Sequence, residues 1–97
     1  MQNSTVTLST KIYRNPDVAW RILGQNFIAI TPSDNKVHRF NETGAYLWEA
    51  LEEQHLSIEE LAQKIESHFE MEKKSAKEDI LQFTAEIIKR GLVHIDS

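Results

Sequence analysis

The hydrophobic period of this chain changes at Phe40, and that switch limits the possible folds more than any other feature of the sequence. Upstream lie three short apolar runs, VAWRIL at 18–23, FIAI at 27–30 and KVHRF at 36–40, separated by Gly24-Gln25 and by Pro32-Ser33-Asp34-Asn35. Both separators are turn-forming clusters, and a Gly-X pair between two apolar runs suits a two-residue hairpin, so the runs read as a small antiparallel meander. Downstream, Gly44, Leu47, Trp48 and Leu51 recur at i, i+3, i+4 and i+7, one continuous helical face. Asn41 stands at the junction as N-cap, its side chain placed to accept from the N–H groups near Thr43 or Gly44. Glycine is a poor helix former, so Gly44 on the apolar face marks a close approach of the helix start to the sheet or to another helix.

Two more helices follow. Ser57 with Glu60 three residues later makes a capping box, opening a stripe of Ile58, Leu61, Ala62, Ile65 and Phe69. Ser75 with Glu78 repeats the pattern before Ala76, Ile80, Phe83, Thr84, Ile87 and Ile88, and Gly91 ends that helix as its C′ residue. Leu92 to Ile95 reads as a short closing strand. Residues 1–16, rich in Ser, Thr and Asn and ending at Asn15-Pro16, read as a weakly structured arm able to lay a short strand on the body. Residues 17–97 then form one α+β domain, a three-stranded antiparallel β-meander followed by three α-helices packed on one side of it. A chain of 97 residues has a modest core, which leaves little room for a large internal catalytic cavity.

Several chemistries find no support in the residues. The chain has no cysteine, which removes disulfides, thiolate metal sites and cysteine nucleophiles. His38, His55, His68 and His94 are scattered, with none at the i, i+4 spacing of a zinc hydrolase helix, so no metal site and no cofactor are expected. The neighbouring acids Glu52-Glu53, Glu59-Glu60 and Glu78-Asp79 point about 100° apart on a helix and share no face, which suits solvated surfaces rather than acid–base catalysis. With no phosphate-cradling glycine loop and no nucleophile signature, the chain reads as non-enzymatic. No apolar run reaches the ~18 residues of a membrane span and no signal peptide follows Met1, so a cytoplasmic protein with no membrane partner is expected. The sequons at Asn3 and Asn41 then have no glycosylation role.

Three helices with a β-hairpin are also the layout of a winged helix-turn-helix, which makes a DNA-binding module one alternative. Its reader helix would open on Lys73, Lys74 and Lys77, beside Glu70, Glu72, Glu78 and Asp79, in a chain of net charge -4. Phosphate contacts dominate DNA affinity, and a locally cancelled charge serves them poorly, so no nucleic-acid partner is expected. Two features point instead to peptide or protein recognition. The third strand, Lys36 to Phe40, comes last in the meander, where an open edge can accept an added strand. The third helix is apolar over a wide arc, with Leu81 and Ile88 about 100° from the centre of the Ala76, Ile80, Phe83, Ile87 stripe and Thr84 between. That flank either packs on the arm or another helix, or forms one wall of a groove whose other wall is the edge strand.

The run from about Trp20 to Val93 resembles the PqqD family, small proteins named after coenzyme PQQ synthesis protein D. The likeness rests on Phe40-Asn41-Glu42-Thr43-Gly44-Ala45 with Leu47-Trp48 and Leu51. It continues in Ser57-Ile58-Glu59-Glu60-Leu61, Phe69, Ile80-Leu81-Gln82-Phe83 and Arg90-Gly91-Leu92-Val93. The resemblance implies a winged helix-turn-helix-like RiPP recognition element, which binds the leader of a ribosomally made precursor peptide as an extra strand. Such an element presents the peptide to a maturation enzyme, commonly a radical SAM protein, as in PQQ biosynthesis. The loop from Thr31 to Lys36 and the segment around Arg39-Phe40 look more like the broad PqqD-like group than the members that serve PQQ itself.

On this reading Lys36, Val37, His38, Arg39 and Phe40 supply edge-strand hydrogen bonds, and Leu81, Thr84 and Ile88 supply an apolar wall. Lys77 and Arg39 attract acidic leader residues. The other alternative is a structural subunit that binds only its partner enzyme. An open edge strand is compatible with a monomer or a strand-paired dimer.

Overall fold

The computed structural model describes residues 6–96. Its N-terminal segment is held more firmly than its composition suggests. Lys11–Arg14 forms strand β1, the central strand of an antiparallel sheet between Leu56–Ser57 and Val93–Asp96. Ile12 is fully buried there. Arg14 donates to the carbonyl of Trp48 from Nε (3.0 Å) and Nη2 (2.5 Å), and its guanidinium lies 4.8 Å from the ring centroids of both Trp20 and Trp48. Such a cation on two indole rings adds attraction to the hydrogen bonds. Asn15 then donates its backbone N–H to Leu92 O (3.0 Å) and its amide to Gly91 O (2.9 Å). The arm expected over residues 1–16 therefore ends in a core strand; its first five residues lie outside the described ones.

The meander follows as expected. Ala19–Leu23 (β2), Asn26–Thr31 (β3) and Lys36–Phe40 (β4) form a second antiparallel sheet in the order β2-β3-β4. Gly24, at φ +63°, closes the two-residue turn between β2 and β3, with Leu23 opposite Asn26. In the second turn, Asn35 takes φ +57° and donates to Thr31 O (2.8 Å).

Helix α1 (Glu42–Ala50) starts where the period changes, with Asn41 Oδ1 accepting from the N–H groups of Thr43 (3.2 Å) and Gly44 (3.4 Å). Gly44, Leu47, Trp48 and the helix-ending Leu51 are buried, as the spacing required. After Leu56–Ser57 (β5), helix α2 (Ile58–His68) carries the complete capping box: Glu60 N–H donates to Ser57 Oγ (3.0 Å) and Ser57 N–H to Glu60 Oε1 (2.9 Å). Ile58, Leu61, Ala62 and Ile65 are its buried stripe.

Helix α3 (Lys73–Lys89) departs from the sequence reading at its start. Its N-cap is Glu72, with no side-chain cap, and the Ala76 N–H already donates to Glu72 O (2.9 Å). Ser75 lies inside the first turn, so the second expected capping box does not form. The cause is local: Glu70 at φ +55° reverses the chain and leaves Glu72 extended, so the good helix formers Lys73 and Lys74 begin the helix before Ser75 is reached. The other end is as expected. Gly91, at φ +78°, donates to Ile88 O and Leu92 to Ile87 O, both at 3.0 Å, the paired bonds of a Schellman cap. Leu92 is itself fully buried, and Val93–Asp96 (β6) returns to lie beside β1.

The result is the α+β, winged helix-turn-helix-like arrangement, with β1, β5 and β6 as a second small sheet added to the expected meander. The inner face of β2-β3-β4, with Phe27 and Ala29 buried, carries the core shared with Leu47 and Trp48. Phe27 stacks on Trp48 with centroids 4.7 Å apart. Among the described residues no helix is long and apolar enough to cross a membrane.

Candidate functional site

β4 ends its sheet, so one of its edges has no strand partner among the described residues. The two-residue turn makes Leu23 and Asn26 a hydrogen-bonded pair, and strict alternation then assigns each later rung. Asn26, Ile28 and Ile30 turn their backbone groups toward β2, while Phe27, Ala29 and Thr31 turn theirs toward β4. Opposite them, Phe40, His38 and Lys36 bond inward, which leaves the N–H and C=O of Val37 and Arg39 on the open edge.

The side chains of β4 divide the same way. Val37 (66% exposed) and Arg39 face outward, while His38 (7%) and Phe40 face the helices. His38 Nε2 lies 3.2 Å from Thr31 Oγ1, and the Thr31 hydroxyl donates to Asp34 Oδ1, which also accepts from the Lys36 N–H (3.1 Å). Because Thr31 has one proton to give, His38 is the donor in its contact, with Nε2 protonated. This network braces the turn at the mouth of the site.

The Thr31 hydroxyl and the Lys36 N–H hold the Asp34 carboxyl below its usual 3.8. A depressed carboxylate stabilises the fold above the ordinary aspartate range, and this is lost as pH falls through the folded value. An NMR titration is therefore expected to place the Asp34 carboxyl midpoint below 3.8, with the Asn35 and Lys36 amides shifting in step. A midpoint at or above the ordinary value would show that the turn is not held this way.

A groove opens between this edge and α3. Toward its C-terminal end it is lined by Lys36, Val37 and His38 on one side and by Glu86, Lys89 and Arg90 on the other. It continues along α3 past Glu86 to Phe83, Gln82 and Asp79, facing Asn41 and Thr43 at the start of α1. Phe40 forms part of the floor, stacked on Phe27 (5.6 Å), edge-on to Phe83 (5.3 Å), with the Arg90 guanidinium 5.6 Å from its centroid. Arg90 Nε also pairs with Glu86 Oε2 at 2.9 Å. At this end Lys36, Lys89 and Arg90 face Asp34 and Glu86, and Lys36 and Lys89 have no ion pair among the described residues. The groove end is therefore slightly cationic on an acidic chain.

The structure brings Lys36, Val37, His38, Arg39 and Phe40 together at this site, with the His38 side chain in the floor. It places the expected helical residues elsewhere. Thr84 is fully buried, its hydroxyl donating to Ile80 O (2.7 Å), so it is a core residue and offers no surface to a ligand. Lys77, Leu81 and Ile88 are half-buried on the flank of α3 that lies roughly 120–180° round the axis from Phe83 and Glu86. Leu81 and Ile88 pack against the core there, the plainer of the two readings of the wide apolar arc. The wall that faces β4 is Phe83, Glu86 and Arg90, at i, i+3 and i+7. Their spacing, and the aromatic match of Phe83 with Phe40, were the available signal.

The family profile described as Coenzyme PQQ synthesis protein D (PqqD) matches residues 27–93. The chain belongs to the PqqD family. The matched segment runs from the second residue of β3 to the first residue of β6, and so contains the whole β4–α3 groove. Among solved structures, the one titled "TbiB1 in Complex with the TbiA(beta) Leader Peptide" superposes with a TM-score of 0.76, covering 84% of this chain and 94% of that chain. At 15% identity this likeness concerns the fold, which the PqqD-family chain shares. No curated protein matches the chain.

Proposed function

We propose that this chain is a non-catalytic peptide adaptor. It binds the leader of a ribosomally made precursor as a fourth strand of the meander, added on the open edge of β4, and presents the rest of the precursor to a modifying enzyme, such as a radical SAM protein. The observation that carries this reading is the open β4 edge, with the backbone groups of Val37 and Arg39 unpaired beside a groove walled by Phe83, Glu86 and Arg90. Backbone bonds of this kind give affinity with little sequence demand, and the groove receives alternate side chains of the strand. Family membership and the leader complex of the structural neighbour TbiB1 support the same reading. Lys36 and Lys89, which have no ion pair among the described residues, favour a leader with carboxylates at this end, acting mainly on encounter rate and register.

Chemical-shift mapping with the leader of the precursor encoded beside this gene tests the proposal. Perturbations are expected at Lys36–Phe40 and at Phe83, Glu86, Lys89 and Arg90, and not at Lys77, Leu81 or Ile88 beyond small relayed shifts. A footprint restricted to α2 or to the β5-β1-β6 sheet would sink it.

A further inference from the structure

The meander has a second, partly apolar face that no helix among the described residues covers. The register aligns Ala19, Ile30 and Val37 in one cross-strand row and Arg21, Ile28 and Arg39 in the next, all on the side away from Phe27, Ala29 and His38. Ile30 is 40% exposed, Val37 66% and the neighbouring Leu23 52%. A sheet packed on one side normally turns polar residues to water on the other, so an exposed aliphatic row, with Ile28 and Leu23 beyond it on the same face, marks a surface that something covers. Its charge is equally distinctive. None of β2, β3 and β4 contains an Asp or Glu, although the chain has 15 acidic residues against 11 Lys and Arg. Arg21 and Arg39 flank Ile28 with no carboxylate partner among the described residues.

We infer that this outer face is the docking surface for the peptide-modifying enzyme, whose matching patch is an apolar ridge bordered by carboxylates. Charge complementarity selects that occupant over a second copy of the chain, because stacking two such faces would bring four guanidinium groups together without counter-charges. Continuity with the peptide site selects it as well. That continuity rests on the leader reading: a strand added at β4 extends the sheet, and every second side chain of that strand then emerges on this outer face beside Val37 and Arg39. An enzyme seated here touches adaptor and leader together, which couples docking to the presence of the peptide.

The test uses Arg21→Glu and Leu23→Glu, both outside the groove and both exposed, in the full chain. Binding is measured separately to the leader peptide and to the modifying enzyme encoded in the same gene neighbourhood. The expected result is at least a tenfold loss of enzyme affinity with leader affinity unchanged within twofold. Unchanged enzyme affinity in both variants overturns the proposal, as does a wild-type chain that binds the leader and never the enzyme. If the leader fails to bind the wild type while enzyme docking is still lost in the variants, the docking face stands and the leader reading falls. Should helical circular dichroism show that a glutamate variant is unfolded, Arg21→Gln and Leu23→Ser replace it with the same criteria. Two controls identify other occupants. Binding to phosphatidylserine vesicles, or concentration-dependent dimerisation, that both glutamate variants abolish while enzyme affinity is retained would overturn the proposal in favour of a membrane or a second copy.

Discussion

Replacing Gly44 by alanine is expected to destabilise the domain by about 1–3 kcal/mol, and replacing it by valine by more, through steric overpacking. Helix propensity alone predicts the opposite sign, since alanine is better than glycine in a helix by about 1 kcal/mol. The structure decides between them. A Cβ built on Gly44 would lie 2.5 Å from Phe40 Cβ, 3.2 Å from Phe40 Cγ and 3.4 Å from Phe83 Cζ. The first of these atoms is fixed to the β4 backbone, so it cannot rotate away as the far end of a side chain can. Either the start of α1 or the end of β4 has to move. Urea unfolding measures the result, and a Gly44→Ala variant more stable than the wild type would refute the packing argument. The strain also has a functional address: Phe40 and Phe83 are the floor and wall of the groove, so ligand affinity should fall even in the fraction that remains folded.

The second large effect is expected from Val37→Pro. Proline removes the backbone N–H, which is tolerated on an edge strand where that group faces outward and costs a ladder bond where it faces inward. By the alternation of the meander, Val37 is of the first kind and His38 of the second. Val37→Pro is therefore expected to leave the unfolding midpoint nearly unchanged while weakening leader binding ten- to a hundredfold, roughly 1.4–2.8 kcal/mol. Part of that loss is the missing donor, and the rest is the ring standing where an added strand would lie. His38→Pro should instead disrupt the sheet. Titration of the leader against both variants, with circular dichroism alongside, separates the cases. Wild-type affinity in a folded Val37→Pro chain would show that the peptide is not held as a strand on this edge.

Local signals in the sequence were reliable where one residue type serves one backbone need. Asn41 caps α1, Ser57 and Glu60 close their box, and Gly91 takes the left-handed position, because each depends on neighbours within a few residues. Ser75 shows the limit of that logic. Its spacing to Glu78 satisfies the pattern, but where a helix begins depends on where the preceding turn releases the chain, here at Glu70. β1 was legible only as a short strand the arm could lay on the body, because its partners are a two-residue strand at Leu56–Ser57 and the closing strand at Val93–Asp96, and a sequence does not show which distant segments pair.

The candidate site was half legible on the same grounds. Placement at the end of a meander identifies β4 as an edge, so Lys36–Phe40 could be read directly. A helical wheel, however, has no external reference. It showed that α3 has two flanks beside its buried stripe and gave no means of telling which one faces the sheet. Hydrophobicity favoured Leu81 and Ile88, and those residues are apolar because they finish the core. The groove side carries Glu86, Lys89 and Arg90 because it remains in contact with water.

The pairing of β1 with β6 has one more consequence. Lys11 lies opposite Asp96, so the start of β1 and the end of β6 sit together at one corner of the fold. Domains whose ends converge tolerate insertion and circular permutation, because a single gap in another polypeptide can accommodate them. A fold of this shape can thus be tethered through either end, or spliced through both, and its β4 edge will be carried in the same direction relative to the point of attachment.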